Sequence, residues 1–485
     1  MNLMTCIQNS LAHHADKVAV SDRMHSLTYR ELFSRARKMA AKLIQMNVSG
    51  EPVGVMADRS AETIVYILSV VLSGSFYVPM DPDAPEEKRA SILEDTGMRV
   101  CLGAEAHRFA FSGTYLTEAD ALETECALTD ILPDKPLYMV YTSGSTGKPK
   151  GVLKSVRAME HFLDAYMESF DFSPDDVIGN QTPFFFDASA KDLYLMLRAG
   201  MTMEILPTEL FALPPTLIEY MNERKITFIS WVPTALSIVA QLKTFSYIKP
   251  QYLRKVFFVG EVMPVKYLNA WMEALPDVQF VNLYGSSELA GVCCAYEVRR
   301  QFEPGESFPL GKPLPHCRIM LRDESGIEIA VPGVTGEIVV VSDALAEGYY
   351  HDEEKTQKRF PYTASGRAFL TGDLARYDDD FNLIFAARAD FQIKHLGHRI
   401  ELGEIESAAL ALAGVSRAAC TYDSEKKRIS LFCELAGDSE LDAPSIKKLL
   451  KARLSSYMVP GRVVVLPQMP LNANGKIDRP RLGAI

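Results

Sequence analysis

The chain has 485 residues, 48% of them hydrophobic and 23% charged, with a formal net charge of −11. That length exceeds one ordinary core and calls for roughly two to four units of ~100–200 residues. The acidic balance disfavours nucleic acid or an anionic membrane as the main partner, while leaving room for a small anion in a local basic cleft.

The eight cysteines are scattered, with no CxxC pair, and the nine histidines form no HxxxH cluster, which argues against structural zinc. The start, "MNLMTCIQNSLAHHADK", lacks a basic segment followed by a long apolar run. No stretch reaches the ~18 apolar residues of a membrane-spanning helix. A reducing cytoplasm is the expected compartment.

In chain order, "TYRELFSRARKMAAKLIQMNV" (28–48) carries apolar residues at helical spacing behind a Thr28 cap. "PVGVMAD" reads as a strand and 60–73 as a buried helix, leading into the strand "FYVPMDP". Such alternation argues for α/β layers. From about 308 to 341 short strands punctuated by Gly and Pro suggest a β-rich subdomain. After Asp390, "HRIELGEIESAALAL", "VSRAACTYD", "RISLFCEL" and "APSIKKLLKARLSSYM" read helix, strand, strand, helix, enough for a small α+β domain. The chain stops soon after "NANGKIDRP", so no further domain is expected.

"YTSGSTGKPKG" (141–151) follows the apolar run "LYMV". Its backbone N–H groups and hydroxyls could cradle phosphate, with lysine adding charge; a plain surface loop is the alternative. The Walker loop is excluded, because Gly147-Lys148 is followed by Pro149 and Thr142 stands where that motif needs Gly. "GVLKSV" then returns to a strand, giving strand–loop–strand.

Further motifs follow in order: "LTYREL" (27–32), "FFFDAS" (184–189), "NLYGSSE" (282–288), "GEIVVVSDALAEGYY" (336–350), "FLTGDLARY" (369–377), "ARADFQIKHLGHRIELGEIE" (387–406), "YMVP" (457–460) and "NGKIDR" (474–479). Together with the loop they resemble the adenylate-forming superfamily. The nearest resemblance is to amino-acid adenylation domains of nonribosomal peptide synthetases and stand-alone D-alanine–carrier protein ligases. It covers about residues 10 to 482.

The resemblance implies an α/β fold with a large N-terminal domain (1–388) holding ATP and substrate, its sheets layered beside the β-rich part. A small mobile α+β domain (391–485) follows, hinged at Asp390. It implies two steps: ATP-dependent formation of an acyl-adenylate, then transfer to the phosphopantetheine thiol of a carrier protein in trans. Carried over residue by residue, Thr142, Ser143, Gly144, Ser145, Thr146 and Lys150 contact phosphates. Gly260, Asn282, Tyr284, Gly285 and Ser287 line the nucleotide site, with Tyr284 stacked on adenine. Asp373 accepts from the ribose hydroxyls with Arg388 beside it, and Glu288 holds Mg²⁺. Lys476 bridges substrate carboxylate and phosphate. Taken singly, Glu288 also suits a helix start, Asp373 a turn and Lys476 a hairpin. The chain departs from the family at Ser287, Glu347 and Leu396, the last in "KHLGHR".

Asp187 matches the aspartate that pairs with the substrate's α-ammonium in amino-acid-activating members; it also suits a helix N-cap. The matching pocket positions are Ala188, Lys191, Thr227, Phe257, Val259, Leu283, Gly291 and Val292. Lys191 favours an acidic substrate side chain, or else pairs with Asp187 four residues before it or turns to solvent. The alternatives to amino-acid activation are an acyl- or aryl-CoA ligase and an inactive binding homologue.

Overall fold

Thr28 and Glu31 fix the start of the first long helix, Tyr29–Gln45. The Thr28 hydroxyl accepts from Glu31 N at 3.2 Å, and the Glu31 carboxylate accepts from Thr28 N at 2.8 Å. Such a reciprocal cap stabilises a helix start by ~1 kcal/mol. The next helix, Ala61–Leu72, is buried at every position but Glu62, as its apolar composition requires.

The computed structural model describes residues 2–142, 149–303, 306–388, 392–436, 439–470, 477–483 and 485. The fold is α/β, in two compact units. The first comprises Met1–Pro82, Gly97–Val140 and Val152–Ala389. The second comprises Asp83–Thr96, Tyr141–Gly151 and Asp390–Ile485, so it takes in two early segments besides the C-terminal residues.

The first unit is built on a nine-stranded sheet. Its central strands Gln279–Tyr284, Lys255–Val259, Phe228–Trp231, Val177–Asn180 and Thr202–Ile205 run parallel. Their carboxyl ends therefore lie along one edge, at Tyr284, Val259, Trp231, Asn180 and Ile205. A seven-stranded sheet includes, side by side, Pro136–Thr142 and Lys150–Ser155, the two strands expected before and after the Gly- and Ser-rich stretch. The Gly- and Pro-punctuated stretch forms an antiparallel sheet. In it Cys317–Arg322, Gly336–Ser342, Gly366–Tyr377 and Leu383–Arg388 are successive neighbours.

The second unit has its own core around Ile400, Ile405, Leu431 and Ile446. Val415–Asp423 and Arg428–Leu435 pair antiparallel, and Arg462–Leu466 adds a parallel strand not foreseen in the sequence. The expected helix from His398 starts only at Leu402. Residues His398–Glu401 are instead a strand paired with Gln392–His395. Leu396 and Gly397 turn the hairpin with φ of 53° and 83°, the two positive values a tight two-residue turn requires. No described helix is long and apolar enough to cross a membrane.

Candidate active site

In open parallel sheets ligands bind beyond the carboxyl ends of the strands. Several residues picked out in the sequence stand at that edge of the nine-stranded sheet. Tyr284 ends its strand, and its hydroxyl donates to Asp373 Oδ2 at 2.5 Å. Asp373 faces Arg388 across the ladder, and Arg388 Nη1 donates to Asp373 Oδ1 at 2.5 Å. The Thr371 hydroxyl accepts from Asp373 N at 3.0 Å and fixes the turn of chain. Asp373 and Arg388 are nearly closed to solvent, at 3% and 11% side-chain exposure. Burial and the neighbouring Asp373 push the Tyr284 phenol well above its ordinary range, so it stays a donor.

Glu288 lies four residues beyond Tyr284 and is fully buried. The Tyr349 hydroxyl donates to its Oε1 at 2.9 Å, and its carbonyl accepts from Ala346 N at 2.9 Å. The segment "ALAEGYY" thereby clasps the turn after Tyr284. Within that turn Gly285 and Gly291 approach too closely for side chains. A Cβ on Gly285 would lie 2.7 Å from Gly291 O, and one on Gly291 2.4 Å from the Phe162 ring. Gly260 follows the strand Lys255–Val259 directly. Asn282 donates its amide to Pro309 O at 2.7 Å, which ties down a loop.

Asp187 is the first residue of the helix Asp187–Ala199, and Phe186, not Asp187, is the N-cap. Its carboxylate near a helix N-terminus is favourably placed. Oδ1 accepts from the Tyr138 hydroxyl at 2.9 Å and from the ammonium of Lys154. Neither partner was singled out in the sequence. Lys154 sits in the run "GVLKSV", with a side chain fully closed to solvent. Burial raises the Asp187 carboxyl and lowers the Lys154 ammonium; the attraction between them opposes both shifts, and Glu288 adds to the field at each.

The substrate-pocket positions divide. Val259 and Leu283 are register partners at the carboxyl edge, and Phe257 lies on the level of Val281. Phe257 packs among Tyr166, Phe170, Phe172 and Phe228. Val292 is buried and Ala188 half-buried. Two expectations are corrected. Lys191 neither pairs with Asp187 nor turns to solvent: it is buried and ion-paired with Asp192. Its ammonium faces a carboxylate of its own helix. Thr227 precedes its strand, at the opposite edge of the sheet from Val259. Its hydroxyl donates to Asp176 Oδ1 at 2.7 Å and accepts from Val177 N at 3.0 Å. The residue of that strand level with Phe257 is Ser230, three positions later, and its buried hydroxyl has no partner among the described residues.

Thr142 ends one strand and Lys150 opens the next. Thr142 Oγ1 is buried without a partner among the described residues. Ser287 is half-buried in the turn before Glu288. Ser143, Gly144, Ser145, Thr146, Asp390 and Lys476 lie outside the described residues.

Residues 7–350 match the family model of the AMP-binding enzyme, and 404–476 match the AMP-binding enzyme C-terminal domain. The chain belongs to the AMP-binding enzyme family. It is a family of adenylate-forming ligases. Among relatives, the chain is 32% identical to tyrocidine synthase 3 of Brevibacillus parabrevis, across 98% of this chain and 7% of that protein. It is 30% identical to zwittermicin A synthase ZmaJ of Bacillus cereus, across 98% of this chain and 94% of that one. Holo-PA1221, an NRPS protein containing adenylation and PCP domains, superimposes with a TM-score of 0.86 at 24% identity, covering 99% and 84% of the two chains. The chain thus spans a small part of a much longer synthase and nearly all of ZmaJ.

Proposed function

We propose that this adenylate-forming enzyme activates an amino acid as its aminoacyl-adenylate and passes it to the phosphopantetheine thiol of a carrier protein in trans. The observation that carries the reading is Asp187. Its carboxylate stands at the start of the helix following the strand Val177–Asn180, with one oxygen anchored inward and a side chain still 13% exposed. A carboxylate there is a receptor for a substrate ammonium. Homology to tyrocidine synthase 3 and ZmaJ supports the same class.

In the first step a substrate carboxylate oxygen bonds to the α-phosphorus of ATP, and the bond to the β-phosphate breaks, releasing pyrophosphate. The carboxylate is ionised at neutral pH, so no general base is needed. In the second step the thiol sulfur bonds to the acyl carbon, AMP leaves with the electron pair of the C–O bond, and the thiol proton goes to solvent.

The residues fit ATP. Asp373 spends one lone pair per oxygen on Tyr284 and Arg388, and each oxygen has a second for a ribose hydroxyl. Glu288 would hold Mg²⁺, which takes oxygen donors and commonly binds through one or two carboxylates plus phosphates. When bound, that ion would neutralise phosphate charge. Lys476 and the 143–148 loop complete the set by resemblance, with Asp390 as the hinge. Ser230 replaces Thr227 among the pocket residues, beside Ala188, Phe257, Val259, Leu283, Gly291 and Val292.

One observation favours a second reading. Lys154 already neutralises Asp187, which suits an acid without an α-ammonium, such as an acyl or aryl substrate of a CoA ligase. ATP–pyrophosphate exchange across L- and D-amino acids, with aryl and fatty acids alongside, separates the two. Amino-acid-dependent exchange is expected; exchange with aryl or fatty acids alone overturns the first reading.

A further inference from the structure

Asp187 and Lys154 form a buried pair whose geometry treats the two carboxylate oxygens differently. Oδ1 takes both donors, the Lys154 ammonium and the Tyr138 hydroxyl. The same ammonium also donates to the Tyr138 hydroxyl at 3.2 Å, closing a three-membered ring of contacts. Tyr138 is held in place by Tyr77, whose ring stacks on it at 5.3 Å between centroids and 14° between planes. Oδ2 accepts from no described residue, and the side chain retains its exposure, whereas Lys154 has none.

We propose that Lys154 is a positioning residue for amine recognition: with Tyr138 it pins one oxygen of Asp187 and leaves the other presented to the substrate's ammonium. The inference rests on the amino-acid reading above. A carboxylate placed in a closed pocket without a counter-charge is costly and tends to turn away or take a proton. A resident cation removes that cost before substrate arrives, and binding to the opposite oxygen need not displace it. The substrate ammonium would touch Oδ2 directly, with the like charge of Lys154 a carboxylate's width further off. Coulomb energy falls with distance, so the attraction outweighs the repulsion. Lys154 would also act as a filter, since a second cation on the substrate directed toward it would meet like charge.

The test compares wild type, Lys154→Met and Tyr138→Phe by pyrophosphate exchange with the preferred amino acid. Beside its KM one measures Ki for the des-amino acid, which keeps the side chain and carboxylate but carries hydrogen in place of the amine. Lys154→Met is expected to raise KM about 30-fold or more, with less change in kcat, while Ki stays within about twofold. Tyr138→Phe should give a smaller shift of the same kind. A merely structural role would move KM and Ki together, and that parallel rise, or an unchanged KM, overturns the proposal. Should Lys154→Met fail to fold, Tyr138→Phe, which loses only a hydroxyl, decides by the same two constants. If wild type exchanges with no amino acid, the amino-acid reading falls and this inference with it, a result distinct from a parallel rise.

Discussion

Lys191 and Asp192, consecutive residues of one helix, form an ion pair closed to solvent, with side chains 2% and 1% exposed. Asn180 Nδ2 donates to the other Asp192 oxygen at 3.1 Å, so the pair also ties the helix to the end of the strand Val177–Asn180. Breaking a buried pair from one side leaves an uncompensated charge. Asp192→Asn is expected to cost ~3–5 kcal/mol of stability, and Lys191→Met with Asp192→Asn together should cost less than Asp192→Asn alone. Urea unfolding midpoints check this. Lys191→Met should leave the preference between glutamate and glutamine unchanged in pyrophosphate exchange.

Asp373 can be tested against the atoms it would hold. A hydrogen bond to a charged group contributes ~1.5–3 kcal/mol, so Asp373→Asn should raise the KM for ATP roughly 10- to 100-fold. The same variant should lose far less with 2′- or 3′-deoxy-ATP if it pairs with the missing hydroxyl. That cycle separates a ribose contact from loss of the Arg388 pair.

Glu288→Gln keeps an oxygen that can accept from Tyr349, so the thermal midpoint should move little. Adenylation should fall about 10²-fold or more, as when a group stabilising transition-state charge is removed. The Mg²⁺ concentration for half-maximal rate should rise in the variant. A rate unaffected by the substitution would remove Glu288 from the metal role.

Glu404, in the second unit, has its carboxyl pushed up to about 7, chiefly by burial, with Glu401 adding and Lys88 opposing. Its folded pKa exceeds the ordinary carboxylate value, so between about 4.5 and 7 the folded state holds a proton the unfolded state has lost. Stability from this group is therefore full below that window and falls as pH rises through it. The loss is about 3 kcal/mol at most by linkage. Glu404→Gln should abolish that slope, so the wild-type minus variant stability should decline from about pH 4.5 to 7 and then level off. A difference independent of pH would contradict the burial effect.

Much of the fold was legible because its signals are local. The Thr28 cap, the apolar helix Ala61–Leu72 and the strands Pro136–Thr142 and Lys150–Ser155 are each written within a few residues. Tyr284 and Asp373 stand 89 residues apart and were joined only by resemblance. Lys154 was missed because a lysine in a strand reads as a solvent-facing residue, and only the tertiary fold brings it to Asp187. The Lys191–Asp192 pair was missed because neighbouring helix residues do not ordinarily face each other. Ser230 and Thr227 differ by three positions, an odd shift along a strand that changes face as well as depth. The helix expected from His398 failed on a non-glycine positive φ at Leu396, which no sequence rule favours.

If Asp187 receives the ammonium of an amino-acid substrate during adenylation, losing its charge must weaken that reaction. The direct measurement is ATP–pyrophosphate exchange with the preferred amino acid in wild type and Asp187→Asn, run side by side. Wild type should exchange, and the variant should lose roughly 30-fold or more in kcat/KM, as expected when one partner of a buried charge pair is removed. Equal rates in the two proteins, or wild-type exchange with aryl or fatty acids but no amino acid, would mean that Asp187 receives no substrate ammonium.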